Sequence, residues 1–477
     1  MQIRPSFLFA VILGAGLANF HPAHAVDLLQ SYRQALDQDA TYQAARAEAA
    51  ATREVLPQAR AQLMPNLSAS LVRGKNQTDS TTPGLFSPQH NSYEYLSSNY
   101  NLILRQPLYR KYSFALYQQA EYQVAGAEAA LDKSLQDLLV RLCSTYFEAL
   151  MASDTLALVQ SQKEAYSSQL QAAKRSFAAG QGTRTDIDDA QARYDMILAQ
   201  ELVARQDFSY TRRQIEVITN SPTGELAVLD PLRMELIGPV PDKAEEWISR
   251  GEEVNAELRA MHANVEAARK EVEKARAGHM PTVDFYLQRG KSDSENNTSI
   301  NAHYLTSQAG LQINIPLFAG GQVVSQARQA LANLDKYRQQ HEARRREIGE
   351  QIRKEFQNVT EGVFKVRALE QAERSADQAV FSNQKGFQAG VRSQVDILNA
   401  QQQRMTARRD LAQARYMYVV ARIKLQALVG SLGEDEIQRV NSWLTTKGTS
   451  SNFGLVSGRE SQDYLVSDML RSSRTLP

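Results

Sequence analysis

The side chains whose types and spacing could do chemistry here are an acidic run, one cysteine and the five of the seven histidines that lie beyond residue 25. Asp186, Asp188 and Asp189 form the acidic run, but the glycine and distal glutamate of a calcium-binding loop do not follow it. No His-Glu-x-x-His pair and no second ligand at helical spacing accompany the histidines, which are His90, His262, His279, His303 and His341. The single cysteine, Cys143, excludes internal disulfides and a cysteine-built zinc site. The sequence therefore predicts no enzyme, no cofactor and no metal site.

The composition argues against two broad classes of protein. The 477 residues carry 54 Lys and Arg against 53 Asp and Glu, a net charge of +1, whereas a protein that coats nucleic acid has a basic excess. A mean hydropathy of −0.44, together with the lack of long apolar stretches beyond the N-terminus, excludes a bundle of transmembrane helices. The sequence therefore predicts neither a nucleic-acid partner nor a helical membrane domain.

Residues 1–25 have the pattern of a secretory signal peptide. Arg4 precedes an apolar run, and Ala23-His24-Ala25 supplies the small residues of a signal-peptidase site. We expect the mature chain to begin at Val26 and to work in the cell envelope or outside the cell. No cysteine lies just after the predicted cleavage site, so a lipid anchor on the new N-terminus is not expected.

The rest of the chain repeats itself at an interval of about 210 residues. Three landmarks recur in the same order, and these are residues 61–65 and 277–281, 106–109 and 315–318, and 177–186 and 387–396. We interpret the chain as an internal duplication with a first repeat at 26–221, a linker at 222–242 and a second repeat at 243–430. The remaining residues, 431–477, form a polar C-terminal tail that we predict to be disordered from about residue 445.

Each repeat contains two segments in which apolar and polar side chains alternate, as they do in β-strands. These segments cover about residues 65–73 and 94–106 in the first repeat and 281–289 and 304–316 in the second. The Ser-, Thr- and Asn-rich segments between them, 74–92 and 290–303, are predicted to be long external loops. Strands with one uncharged apolar face and one polar face are typical of a membrane β-barrel. Because four strands cannot close a barrel and an open edge cannot stand in lipid, several chains must pool their strands.

Helical patterns flank the strands in both repeats. A single helix is predicted before them, at 27–60 and at 243–278, and a long one after them, which at 110–178 would measure roughly 100 Å. Gly180 and Gly390 interrupt the long helices at matching points, and each precedes a Thr or Ser that could cap a new helix. We predict helical hairpin tips near residues 180–185 and 390–393.

The chain from about Val26 to Gly430 resembles the TolC-type outer-membrane efflux and secretion channels. The resemblance rests on the duplicated helix–strand–strand–helix order, on two Phe-x-Ala-Gly…Asp tips and on the segments Gln106-Pro-Leu-Tyr109 and Ile315-Pro-Leu-Phe318. It implies an α+β membrane protein, a homotrimer whose twelve-stranded transmembrane barrel takes four strands from each chain. The barrel would sit in the outer-membrane lipid and continue into a periplasmic α-helical tunnel. It also implies docking to a periplasmic adaptor protein and an inner-membrane pump.

The resemblance assigns roles at the hairpin tips, which constrict the periplasmic entrance in that family. Asp396 matches an aspartate that forms the narrowest ring, and Asn399 stands where some members have a second aspartate. Arg392 matches an arginine that links to the other hairpin and helps to hold the entrance shut. The partners of Arg392 would be Asp186 and Thr185, and Phe387 stands in place of a tyrosine that supports this link in some members. The resemblance also assigns adaptor docking to the tip residues Gly180, Gln181, Gly390 and Val391.

Two questions stay open at this point. A non-channel periplasmic coiled-coil or adaptor-like protein is the alternative function. Within the channel interpretation, the residues do not separate protein secretion through an ABC transporter from small-molecule efflux through a proton-driven pump. The absence of a lipid-anchor cysteine slightly favours protein secretion.

Overall fold

The computed structural model describes residues 27–84, 87–296 and 299–445. The predicted signal peptide at 1–25 and the predicted disorder beyond residue 445 lie outside the described residues. Within them the chain forms two compact units. One unit contains residues 27–34, 145–235 and 436–445, and the other contains residues 35–144 and 236–435.

Short helices, two strands and two long helices follow one another in that order twice along the chain. The first set consists of α1 Leu28–Gln38, α2 Ala40–Arg53, α3 Val55–Ala61, β1 Asn66–Thr82, β2 Gln89–Tyr109, α4 Lys111–Ala178 and α5 Arg184–Thr219. A short strand, β3 Val228–Leu229, comes next. The second set consists of α6 Ala244–Val254, α7 Ala256–Arg276, a 3-10 turn Ala277–His279, β4 Thr282–Asn296, β5 Ser299–Asn314, α8 Gln322–Gln388 and α9 Gln394–Leu428. The described chain ends with α10 Glu434–Ser442 and β6 Leu444–Thr445.

The four long strands form one antiparallel sheet in the order β1-β2-β4-β5. Its register places Leu67, Leu104, Leu287 and Ala309 in one row across the sheet, so the apolar side chains of all four strands share a face. We call this the outer face. The outer edges of β1 and β5 have no neighbouring strand among the described residues.

The prediction of long loops at 74–92 and 290–303 is wrong. Pairing continues from Asn66↔Arg105 to Thr82↔Gln89 in the first hairpin, and most of 290–303 is likewise paired strand. Backbone hydrogen bonds need no apolar side chains, and polar cross-strand pairs support them here. Lys75 Nζ lies 2.7 Å from Glu94 Oε2, and Asn76 Nδ2 donates to Ser97 Oγ at 2.7 Å. The loss of apolar alternation at residue 74 therefore ends the apolar face and not the strand.

The prediction of one continuous helix at 27–60 and another at 243–278 is also wrong. Asp39 starts α2 as an N-cap whose carboxylate accepts a hydrogen bond from Tyr42 N at 2.8 Å. Asn255 does the same for α7, where its side-chain oxygen accepts from the backbone N–H groups of Glu257 and Leu258. Short polar side chains of this kind compete with the helical backbone and restart the helix.

The long helices pair as hairpins. In one unit, Leu411 and Ala414 of α9 pack with Val366 of α8 in a buried cluster. In the other unit, Val159 of α4 packs with Ile197 of α5. None of the helices among the described residues has an apolar stretch long enough to cross a membrane.

The segments predicted as a linker and a polar tail contain structure that the sequence analysis missed. Strand β3 lies in the predicted linker and pairs with β6, and Trp443 O accepts a hydrogen bond from Asp230 N at 2.8 Å. Ile437 and Val440 of α10 are fully buried. The first part of the segment described as a polar tail, residues 431–445, therefore contains a helix and a short strand, and the predicted disorder beyond about residue 445 stays a prediction.

Candidate functional site

Glycine ends the first long helix of each hairpin. Gly180 and Gly390 have φ angles of +73° and +75°, a left-handed conformation that strains residues with a side chain. Gln181 N donates to Ser176 O at 2.9 Å, and Val391 N donates to Gly386 O at 2.9 Å. These bonds satisfy carbonyls at the helix end and turn the chain sharply, so each predicted tip is a tight turn.

A capping box starts the second helix of each hairpin. Asp186 Oδ2 accepts hydrogen bonds from the backbone N and Oγ1 of Thr183, at 2.9 and 2.7 Å, and Asp186 N donates back to Thr183 Oγ1. Asp396 and Ser393 make the same bonds at 2.9 and 2.8 Å in the second tip. The Ser/Thr-x-x-Asp spacing is the sequence signal for this motif. The Thr and Ser were predicted as caps, whereas the part that the two aspartates take in the cap was not.

The capping boxes also set the charge of the two aspartates. Hydrogen bonds from Thr183 hold the pKa of Asp186 below its usual value, and those from Ser393 do the same for the pKa of Asp396. The positive charge of Arg392 lowers the pKa of Asp396 further. Because hydrogen bonds to a carboxylate favour its ionised form, both aspartates carry a negative charge at neutral pH.

The other residues that the resemblance assigned to the tips lie on their surface. Val391 is 76% exposed and Phe387 is 45% exposed, and Asn399 is also exposed. Arg392 folds against Gly386, where a Cβ atom would lie 2.6 Å from Arg392 Cγ. The two tips belong to different units of the chain. The link from Arg392 to Asp186 and Thr185 stays a prediction.

Charged side chains tie the two helices of each hairpin together behind the tips. Arg408 of α9 contacts Glu373 and Asp377 of α8, with its Nε 3.0 Å from Glu373 Oε1. In the other hairpin, Glu201 of α5 binds Lys163 of α4 and Arg205, each at 2.8 Å. The hydrogen bond from Lys163 is the main cause that lowers the pKa of Glu201, and the interactions with Arg205 lower this pKa by a smaller amount. Both hairpins are therefore cross-linked by ion pairs as well as by apolar packing.

A buried ion pair connects the sheet to the start of the long helix. Arg110 precedes α4, and its Nε and Nη2 donate to the two carboxylate oxygens of Asp284 on β4, at 3.0 and 2.6 Å. Asp284 is only 5% exposed. Such bidentate geometry fixes both partners. Alternation along the strand predicts that Asp284 lies on its polar face, but nothing in the sequence indicates that Arg110 is its partner.

The sheet has one apolar face, two edges with no neighbouring strand among the described residues, and connections to helices of about 100 Å. This is the arrangement that one chain contributes to a barrel-and-tunnel channel. The family model for the outer membrane efflux protein matches residues 31–221 and 247–431. The chain belongs to this family of outer-membrane channels.

Individual relatives and solved structures agree with this assignment. The chain is 34% identical to the alkaline protease secretion protein AprF of Pseudomonas aeruginosa, over 88% of this chain and 87% of AprF. It is 30% identical to the proteases secretion protein PrtF of Dickeya chrysanthemi, over 95% of this chain and 98% of PrtF. Its fold resembles the Campylobacter jejuni CmeC outer membrane channel with a TM-score of 0.74 and 13% identity, covering 95% of this chain and 99% of that one.

The comparisons confirm the α+β barrel-and-tunnel fold, the outer-membrane location with periplasmic helices and the function as an export channel. They do not favour the alternative of a non-channel coiled-coil or adaptor-like protein. The family is one of channel proteins that serve efflux and secretion systems.

Proposed function

We propose that three copies of this chain form the outer-membrane channel of a protein secretion system. The proposal of a trimer is supported by the sheet itself. The sheet has an apolar outer face, and neither β1 nor β5 has a second neighbour among the described strands. Lipid cannot satisfy the backbone groups of those edges, so β5 of one copy pairs with β1 of the next. Three sheets of four strands make a barrel wide enough for a channel.

Protein is the substrate class that the relatives support best. AprF and PrtF are both named for protease secretion, and they align with most of this chain. On this proposal the inner-membrane partner is an ABC transporter, joined through a periplasmic adaptor. Small-molecule efflux with a proton-driven pump is the second candidate, because the family model carries the efflux name.

The hairpin tips are the proposed docking surface for the adaptor. Gly180, Gln181, Gly390 and Val391 lie at the turns between the long helices, and Val391 is exposed for 76% of its surface. An apolar side chain held at a tight turn can contact a partner at little entropic cost, because the turn is already ordered.

We propose a gate at the same tips, with Arg392 linking to Asp186 and Thr185 of the other hairpin. The capping box keeps Asp186 ionised and therefore ready to accept this link. Exposed ion pairs contribute little to stability, so binding of the adaptor would be sufficient to open such a gate. Phe387 lacks the hydroxyl of a tyrosine and supplies no further hydrogen bond.

The proposed function predicts a detergent-stable trimer in outer-membrane fractions that conducts ions across a planar bilayer. Arg392→Ser removes the proposed link, and we expect it to raise the single-channel conductance several-fold. Arg346→Ser, which removes an exposed arginine of α8 outside the tip, is the control and should leave conductance unchanged. Recovery of the protein as a soluble monomer would contradict the trimer, and unchanged conductance in Arg392→Ser would contradict the link.

We also propose that Asp396 forms the constricting ring, and we expect Asp396→Asn to abolish block by a trivalent cation added on the periplasmic side. Asparagine can retain a cap with Ser393 but removes the charge, so loss of block would report charge alone. Asn399→Asp adds a second negative level one turn away and should strengthen block by tenfold or more.

Block by the trivalent cation should weaken only when the pH becomes acidic. Because the pKa of Asp396 is lowered by Ser393, its charge persists below the usual carboxyl pKa of about 4. Block should therefore hold around neutral pH and fall only at acidic pH, as the carboxylates take up protons. Block and selectivity that survive in Asp396→Asn would show that the constriction lies elsewhere.

A further inference from the structure

The outer face of the sheet changes from apolar to positively charged toward the hairpin ends. Ala69, Leu102 and Arg289 lie in one row across β1, β2 and β4. Leu71, Tyr100 and Lys291 form the next row, farther from the helices, and β5 adds Leu305 to it. Arg73 follows in the row after that. Because the register places these side chains on one face, three cations meet the last apolar residues there.

These cations are available to a ligand. Arg73 and Arg289 are exposed, and neither has an ion pair or side-chain hydrogen bond within the part of the chain that the structure describes. Lys291 Nζ lies 3.0 Å from Asp293 Oδ2. This ion pair uses one of the three N–H donors of the lysine. Lys75, by contrast, is paired with Glu94. An excess of positive charge therefore remains at Arg73 and Arg289.

A groove of about 380 Å³ lies on the sheet at this boundary. Its lining includes the apolar side chains of Leu71, Leu102 and Leu305 together with the cations Arg289 and Lys291. Tyr100, the cross-strand partner of Lys291, also lines it and is 46% exposed. An aromatic ring between apolar and charged side chains is typical of the border between lipid tails and headgroups.

We propose that this groove binds a phosphorylated lipid of the outer leaflet, with its phosphate on Arg289 and Lys291 and an acyl chain along the apolar rows. The inference rests on the proposed function, because the hairpin ends face outward only if the helices lie in the periplasm. Because apolar side chains lie beside the cations in the same rows, Leu102 next to Arg289 and Leu305 next to Lys291, the groove fits an amphipathic lipid better than a soluble anion. Arginine and lysine are the residues that bind phosphate oxygens in proteins, and arginine does so through two parallel bonds.

The test is the binding of bis-phosphorylated lipid A to the full-length trimer in detergent, measured by native mass spectrometry. We expect the double variant Arg289→Gln/Lys291→Gln to raise the lipid A concentration for half-saturation at least fivefold. Arg105→Gln removes an equally exposed arginine from the opposite face of β2 and should change it less than twofold. Lipid A without its phosphates should bind the unmodified protein no better than it binds the double variant.

Equal half-saturation in the unmodified protein and the double variant would overturn the inference. Displacement of lipid A by an equal concentration of inorganic phosphate would overturn the assignment to a lipid. Conductance in a planar bilayer is measured first for each protein. An unmodified protein that forms no channel contradicts the proposed function. Channels that conduct, with equal affinity of the unmodified protein and the double variant for lipid A, contradict the lipid site alone.

Discussion

Leu311→Arg is expected to prevent assembly of the trimer in the outer membrane, while Gln312→Arg, one residue along, is expected to assemble normally. Leu311 is 63% exposed on the outer face, opposite Phe285 of β4. An arginine near the bilayer midplane costs about 2–4 kcal/mol on the lipid face of a barrel strand. A trimer carries three copies, so the cost is incurred three times.

The control for Leu311→Arg lies at nearly the same depth on the opposite face. Gln312 pairs with Asp284, so an arginine there faces the water-filled interior beside a carboxylate. The measurement is the fraction of heat-modifiable trimer in outer-membrane fractions. Equal defects in the two variants would mean that the apolar face of the sheet does not face lipid.

Arg110→Met is expected to destabilise the folded trimer by roughly 3 kcal/mol per chain, because it leaves the Asp284 carboxylate buried without its partner. Removal of one partner from a buried ion pair costs about 3–5 kcal/mol. The lower end applies because the Arg110 side chain is 35% exposed, although that of Asp284 is only 7% exposed. The resistance of the trimer to heat in detergent measures the loss.

The double variant Arg110→Met/Asp284→Leu separates the ion pair from simple packing. Replacing both charges with apolar side chains removes the unpaired carboxylate, so much of the lost heat resistance should return. A double variant as unstable as Arg110→Met would show that the arginine acts through its packing and not through Asp284. Conductance of the surviving trimers would then report whether the start of α4 has moved.

Sequence alone indicates the main elements because their signals are local. Alternation with a period of two identifies the apolar part of all four strands, and a helical period identifies helices such as α4. Gly180 and Gly390 mark the tips, since a left-handed turn strongly favours glycine. The repeated order of landmarks also carried the resemblance to the channel family, to which the comparisons assign the chain.

Other features depend on which distant segments meet, and these only the tertiary structure decided. The hairpin ends beyond residue 74 are strands because a paired neighbour satisfies their backbone groups, although their side chains no longer alternate. Arg110 and Asp284 are separated by 174 residues, so nothing near either one reveals the pair. In the same way, Arg289, Lys291 and Tyr100 are unremarkable along the chain. They form a charged border to the apolar face only because the register of β2 and β4 sets them in adjacent rows.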